Sequence, residues 1–235
     1  MPVDAVSPEI SQTIEFDKID QPWKSSPDEP YSIRRFNPNR PQDSEIFTDI
    51  DRHPIVLDNM EQDEPSSPEV IDYLLRIDEA DREDPRALYA ITEDKTGEPV
   101  GFVQYYTDPE HPLPDGVRRS LRVDDNTLVL TVSFAKNFKE WPAGLKFISQ
   151  RTNLDQKDHK GVAVSGLRQT LKLIKHKEEI ISKHMEKAPR SIIIYAFTDP
   201  ENPPSEAVLE KNSFSRLDKK HDYNGDELNL WIKKL

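Results

Sequence analysis

The sequence predicts an α/β (α+β) domain built on a mixed, mostly antiparallel central sheet flanked by helices. Three observations predict it. Two β-rich runs, 87–92 and 99–106, enclose a short polar link in which Gly97 supplies the positive-φ position of a hairpin. An apolar, β-branched run at 126–134, a long amphipathic stretch and a second apolar run at 191–197 give strand, helix and strand, a succession that requires a parallel crossover. Near the C-terminus, two alternating runs surround Asn224-Gly225, the strongest short signal for a type I′ hairpin.

Composition sets the limits. The 235 residues suffice for one large domain or two small ones. Hydrophobic content is 34% and charged content 32%, which suggests an ordered core with polar, partly disordered segments. Twenty prolines against seven glycines point to stiff connections, and the absence of cysteine excludes thiol catalysis, disulfides and thiolate metal sites. Nothing in the chain is apolar for about eighteen residues, so no membrane partner is expected. A soluble, cytoplasmic protein is the expectation. A net charge of −12 argues against nucleic acid as a partner. The charge is unevenly placed: residues 61–94 carry twelve Asp/Glu and three Arg, whereas 136–190 carry thirteen Lys/Arg and six Asp/Glu. Such a division suits a cationic substrate and an anionic cofactor, or simply two solvated faces.

Taken in order, residues 1–30 hold five prolines and no sustained period, and read as an acidic, flexible or draped arm in which Ile14, Phe16, Ile19 and Trp23 can pack onto the body as a short strand or hook. Residues 31–235 read as the folded domain. Tyr31–Phe36 alternates as a first strand, and the Asn37–Pro41 break precedes a short helix capped by Ser44 that ends near His53. A second helix starts at Ser66 or Ser67 and buries Val70, Ile71, Leu74, Leu75 and Ile77. The hairpin follows, then a Pro-rich loop through His111–Asp115, then the 126–134 strand, expected to be covered on both faces. Residues 135–158, with a turn at Trp141–Gly144, have no firm place. A helix over about 163–187 carries Val164, Leu167, Leu171, Ile174, Ile181 and Met185 as its apolar stripe. The 191–197 strand, a helix over 206–212 and the closing hairpin complete the chain.

The chemistry centres on Asp158-His159-Lys160-Gly161-Val162-Ala163-Val164-Ser165, a glycine turn that opens the long helix. Unsatisfied amides and the positive end of the helix dipole suit a phosphate there. On the turn alone, plain punctuation is the commoner meaning of such a glycine. The six histidines are scattered, and His176 and His184 lack a carboxylate at ligand spacing, so no metal site is expected.

Two stretches carry a resemblance. The order of elements, the Asp158-x-x-Gly161-x-Ala163 turn, and Asn202-x-x-Ser205 followed by Val208-Leu209-Glu210-Lys211-Asn212-Ser213-Phe214 together resemble the GNAT acyltransferase superfamily over about residues 31–235. The resemblance implies a sheet splayed at its parallel strand pair and transfer of an acetyl or other acyl group from acyl-CoA to an amine. It implies acetyl-CoA as co-substrate, with the amides of Lys160, Gly161, Val162, Ala163, Val164 and Ser165 around the pyrophosphate. Pantetheine would lie between the splayed strands against Val132 and Phe134, with Asn202 and Ser205 beside it. Lys136, Lys139, Lys160 and Arg168 are candidates to meet phosphate charge. A small amine, peptide or protein amine is the acceptor, and a homodimer is in keeping with the family.

Three positions depart from the family pattern. Asp158 stands for Gln or Arg, Leu209 for the Tyr that serves as general acid, and Ser213 for Gly, a replacement expected to cost little. The 126–134 strand also lacks the Glu commonly used as base. Ser133 and Tyr195 are then the candidate catalytic residues, although a tyrosine on a buried strand is more often a core residue. An N-acyltransferase is the first hypothesis. A catalytically degenerate binding or interaction protein of the same fold is the alternative, and Leu209 and Asp158 are its support.

Overall fold

The two runs that flank Gly97 pair antiparallel as β2 (Ala87–Glu93) and β3 (Pro99–Tyr106). Gly97 sits at φ +71° and donates its N–H to the Glu93 carbonyl at 2.7 Å. The structure, a computed structural model, describes residues 22–37, 39–52, 67, 87–107, 112–136, 161–184, 191–223 and 226–235. The helix expected through Val70–Ile77, the 137–160 stretch and most of the arm lie outside these residues.

The remaining elements are β1 (Tyr31–Arg35), α1 (Pro41–Asp51), α2 (Asp115–Leu121), β4 (Thr127–Lys136), α3 (Val162–His184), β5 (Ser191–Thr198), α4 (Pro203–Lys211), β6 (Ser215–Tyr223) and β7 (Asp226–Lys234). The seven strands form one sheet in the order β1-β2-β3-β4-β5-β7-β6. β4 and β5 run parallel and the other pairs antiparallel. Trp23 forms a bridge with Ile33 of β1, exchanging N–H to carbonyl bonds of 2.7 and 2.9 Å, as expected of it; Ile14, Phe16 and Ile19 lie outside the described residues.

Period-two alternation divides the core between the two faces of the sheet. Tyr89, Ile91, Val103, Leu130, Val132, Ile192 and Ile194 face α3 and α4, which contribute Leu167, Leu171, Ile174 and Leu209. On the other face, Leu88 and Ala90 meet Ile46 and Phe47 of α1. Ile193 and Tyr195 meet Val117 of α2 there. Each such apolar side chain, once fully buried, contributes roughly 1.5–3 kcal/mol. Gly166 lets α3 lie close: a Cβ at that position would stand 2.3 Å from Ile91 Cδ1.

Two elements differ from the sequence expectation. α1 starts at Pro41 and not at Ser44, because proline has no N–H to lose at a first helical position and its fixed φ is already helical. α2 occupies part of the stretch read as loop; it is seven residues long, buries Val117, and ends at Arg122 with φ +57°. So short a helix leaves almost no period to read. β4 also runs two residues past Phe134, and Leu128, Val129, Ser133 and Phe134 are only half-buried, so its cover is incomplete.

Candidate functional site

The central feature is an interrupted ladder. β4 and β5 pair from Thr127↔Ser191 to Thr131↔Tyr195, and there the register ends. β4 continues on β3, from Val132↔Tyr105 to Lys136↔Gly101, while β5 continues on β7, from Ala196↔Trp231 to Thr198↔Asn229. Two backbone edges therefore face one cleft past residues 131 and 195. Val132 and Phe134 turn their side chains to the α3 face. Ser133 alternates to the opposite face and is half-buried. Tyr195 is 2% exposed, at the last paired position, in the α2-side cluster with its ring edge-on to Phe197 at 5.8 Å. That is the setting of a core tyrosine.

The crossover from β4 returns as α3, so the start of α3 lies at the end of the sheet where the ladder opens. Gly161 has φ +85°, and its carbonyl accepts from Ser165 N at 2.8 Å. Gly161 is thus the cap, and the N–H groups of Val162, Ala163 and Val164 precede the first intrahelical bond. No acidic residue occupies the first turn of α3. A Cβ on Gly161 would meet nothing within 4 Å among the described residues, so the backbone conformation, and not crowding, demands glycine.

Ser165 differs from the expected set. Its N–H is spent on Gly161, and its Oγ donates to Glu29 Oε2 at 2.7 Å. Arg168, expected to meet phosphate, lies 3.3 Å from Glu29 Oε1. Asp158, His159, Lys160 and Lys139 are outside the described residues. Asn202 caps α4, its Oδ1 accepting from Ser205 N at 3.2 Å, with Pro203 at the first helical position. Both residues are half-buried at the head of α4.

Leu209 is 0% exposed and packs inward from α4, so no hydroxyl comes from the position of the family's tyrosine. The end of α4 is a Schellman motif: Phe214 N donates to Leu209 O at 3.1 Å and Ser213 N to Glu210 O at 2.9 Å. This puts Ser213 at φ +59°. The replacement expected to cost little thus places a Cβ in the left-handed region, at a cost of about 1 kcal/mol. Asn212 Nδ2 donates to Val208 O at 2.9 Å and to Val164 O at 3.2 Å, which ties α4 to the first turn of α3. Lys233 Nζ donates to Asn212 O at 2.7 Å and lies 5.9 Å from the centre of the Phe214 ring; burial lowers its pKa.

Sequence reasoning missed two residues here. Asn212 stood inside a quoted motif, and its buried amide offered the signal of a structural clamp. Glu29 stood in a Pro-rich arm without period and offered none. Among the described residues, no group of three or more His, Asp or Glu could hold a metal, and no helix is long and apolar enough to cross a membrane.

No family model matches the chain, and no curated protein matches it in sequence. Solved structures do match. An acetyltransferase of the GNAT family from Bacillus anthracis is 15% identical, with 88% of this chain and 95% of that one covered at a TM-score of 0.50. An acetyltransferase from Agrobacterium tumefaciens is 12% identical, with 86% and 90% covered at a TM-score of 0.51. AAC(6')-Ib, in complex with paromomycin and acetyl-CoA, is 14% identical, with 86% and 91% covered at a TM-score of 0.50. The interrupted parallel pair, the glycine-capped helix that follows it and these likenesses agree: the chain has the GNAT fold.

Proposed function

We propose that the chain is an acyl-CoA-dependent N-acyltransferase, which moves an acetyl or other acyl group to an amine by direct attack on the thioester. The opening of the β4–β5 ladder past Thr131 and Tyr195, at the end of the sheet where α3 begins, carries this reading. A cleft with backbone on both walls suits the amide-bearing pantetheine, which would lie along Val132–Phe134 as an added strand. The glycine-capped start of α3 suits the pyrophosphate, with the amides of Val162, Ala163 and Val164 as donors and Lys160 as added charge. Asn202 spends its Oδ1 on the cap, so its Nδ2 is the group that would reach pantetheine, beside Ser205.

The neutral amine would attack the carbonyl carbon; a C–N bond forms as the C–S bond breaks, and the CoA thiolate leaves. The proton lost by nitrogen ends on that sulfur. In this reading Ser133, past the opening and on the face opposite α3, relays it, and Tyr195 lies on the same face. The acidic run 61–94 would draw in a cationic acceptor, whether small amine or peptide or protein amine. Within this reading, 31–235 is the catalytic domain and 1–30 an arm, a homodimer remains part of the proposal, and the cysteine-free composition suits the cytoplasm.

One observation favours a second reading. Leu209, fully buried, supplies no acid for the thiolate, as in a catalytically degenerate binding or interaction protein of this fold. A single experiment separates the two. Acetyl-CoA is titrated by calorimetry into wild type and Gly161→Glu, and thiol release is then followed with a panel of amines. Binding near micromolar, about −8 kcal/mol, lost in the variant and accompanied by thiol release, supports the enzyme. Binding without release for any amine favours the second reading. No heat at about millimolar ligand would sink the enzyme reading and leave the second, a degenerate protein of this fold that acts by contacts.

A further inference from the structure

The first turn of α3 has no acid of its own, yet the arm brings one to it. Glu29 is 5% exposed, and its carboxylate accepts from Ser165 Oγ at 2.7 Å and from Ser25 Oγ at 3.4 Å. Arg168 Nη1 lies 3.3 and 3.5 Å from its two oxygens. The segment is clamped on both sides. Lys24 Nζ donates to Glu29 O at 2.8 Å, Ser25 N to Gln169 Oε1 at 3.2 Å, and Gln169 Nε2 to Tyr31 O at 2.8 Å. Lys172 Nζ adds a bond to Ser25 Oγ at 3.2 Å. Glu29 is therefore a fixed charge and not a passing surface contact.

Its place matters for an anion at the head of α3. Arg168 follows Val162 by six residues, about 9 Å along a helix, and helical side chains lean toward the N-terminus. A free Arg168 would offer its guanidinium toward the first turn. Held by Glu29, it forms a pair of no net charge, within about one Debye length of that turn.

We propose that Glu29 is a positioning residue that sets the affinity of the phosphate-binding turn, by neutralising Arg168 beside it. This rests on the acyl-CoA reading. Local charge then dictates the outcome. Glu29→Gln frees a positive charge and tightens CoA binding roughly threefold to tenfold. Arg168→Gln leaves an uncompensated carboxylate and weakens binding by a similar factor. The double variant returns to wild-type affinity.

The test is a CoA titration of wild type and the three variants at about 50 and 500 mM salt, with a thermal melt of each to show that it folds. The changes in the single variants should shrink at high salt; loss of a merely structural contact would not follow ionic strength. Unchanged or weaker binding by Glu29→Gln, or a gain that survives in the double variant, overturns the inference while leaving the acyl-CoA reading intact. Should Glu29→Gln fail to fold, Arg168→Gln decides alone, provided its melt shows it folded: that side chain is 45% exposed, and Glu29 keeps its bonds from Ser165 and Ser25. Equal affinity of Arg168→Gln and wild type then overturns the inference. Wild type that binds no CoA removes both.

Discussion

Asn212 donates its side-chain amide to the carbonyl of Val164, forty-eight positions away, and thereby fastens the end of α4 to the first turn of α3. The same amide bonds Val208 O, while Oδ1, buried, has no partner among the described residues. Asn212→Ala removes both bonds and with them the link between the two helices, which should cost about 1–3 kcal/mol at roughly 0.5–1.5 kcal/mol per bond. Urea denaturation should show the midpoint falling with an unchanged slope. An unchanged midpoint would mean that the link carries no stability.

Ser213 gives a prediction of opposite sign. At φ +59° it holds a side chain where glycine is at ease. Ser213→Gly should raise stability by about 1 kcal/mol, and Ser213→Val, β-branched, should lower it. Paired thermal melts of the two variants check this, and a destabilised glycine variant would contradict the cap geometry.

Gly166 tests how closely α3 lies on the sheet. Its missing Cβ would fall 2.3 Å from Ile91 Cδ1, so Gly166→Ala should cost about 1–3 kcal/mol. Ile91→Ala removes that Cδ1 and also Cγ1, which stands 2.7 Å from the same point, and should recover part of the loss when combined with it. A double-variant cycle measures the coupling. Additive effects would place the helix farther away.

The pH dependence has a worked sign at Asp94. Burial raises its pKa, but hydrogen bonds from Lys24 and Ser32 and the charge of Lys24 outweigh this and lower it below 3.8. A carboxylate depressed in the fold contributes stability above its unfolded pKa and loses it as pH falls through the folded value. Lys24→Met should therefore flatten the acid limb of a stability profile below about pH 4 and leave neutral pH less affected. His221 acts the same way higher on the scale. Burial, then Lys219, lowers its pKa below 6.5, so the fold resists its protonation and loses stability as pH drops below that value. A His221→Phe profile that falls between pH 6.5 and about 5 as steeply as that of wild type would contradict this.

Much of the fold was legible because its signals are local. Gly97 between two β-rich runs fixes a hairpin, and Val162–His184 carries its apolar stripe with a glycine at its head. The opening between β4 and β5 came from a likeness and not from the residues themselves, since Leu128–Phe134 reads as a uniformly buried strand. Ladder partners are set by tertiary neighbours, and no local pattern records where pairing stops. Ser165 shows the same limit. Its amide, expected among the phosphate donors, closes the first turn on Gly161 O, and no local pattern records that its hydroxyl meets Glu29, 136 positions away. α2 escaped notice because seven residues with one buried side chain carry hardly two turns of period.

The five residue pairs that join β4 to β5 have a consequence for hydrogen exchange. In most sheets the outermost strands lose their amide protons first and the central ones last. Here a seam runs through the middle: amides of Val132–Lys136 and Ala196–Thr198 that point into the opening answer to solvent as rim amides do. An exchange map should show a fast stripe between two protected half-sheets, and a molecule that fills the seam should slow that stripe while leaving β1 and β6 untouched.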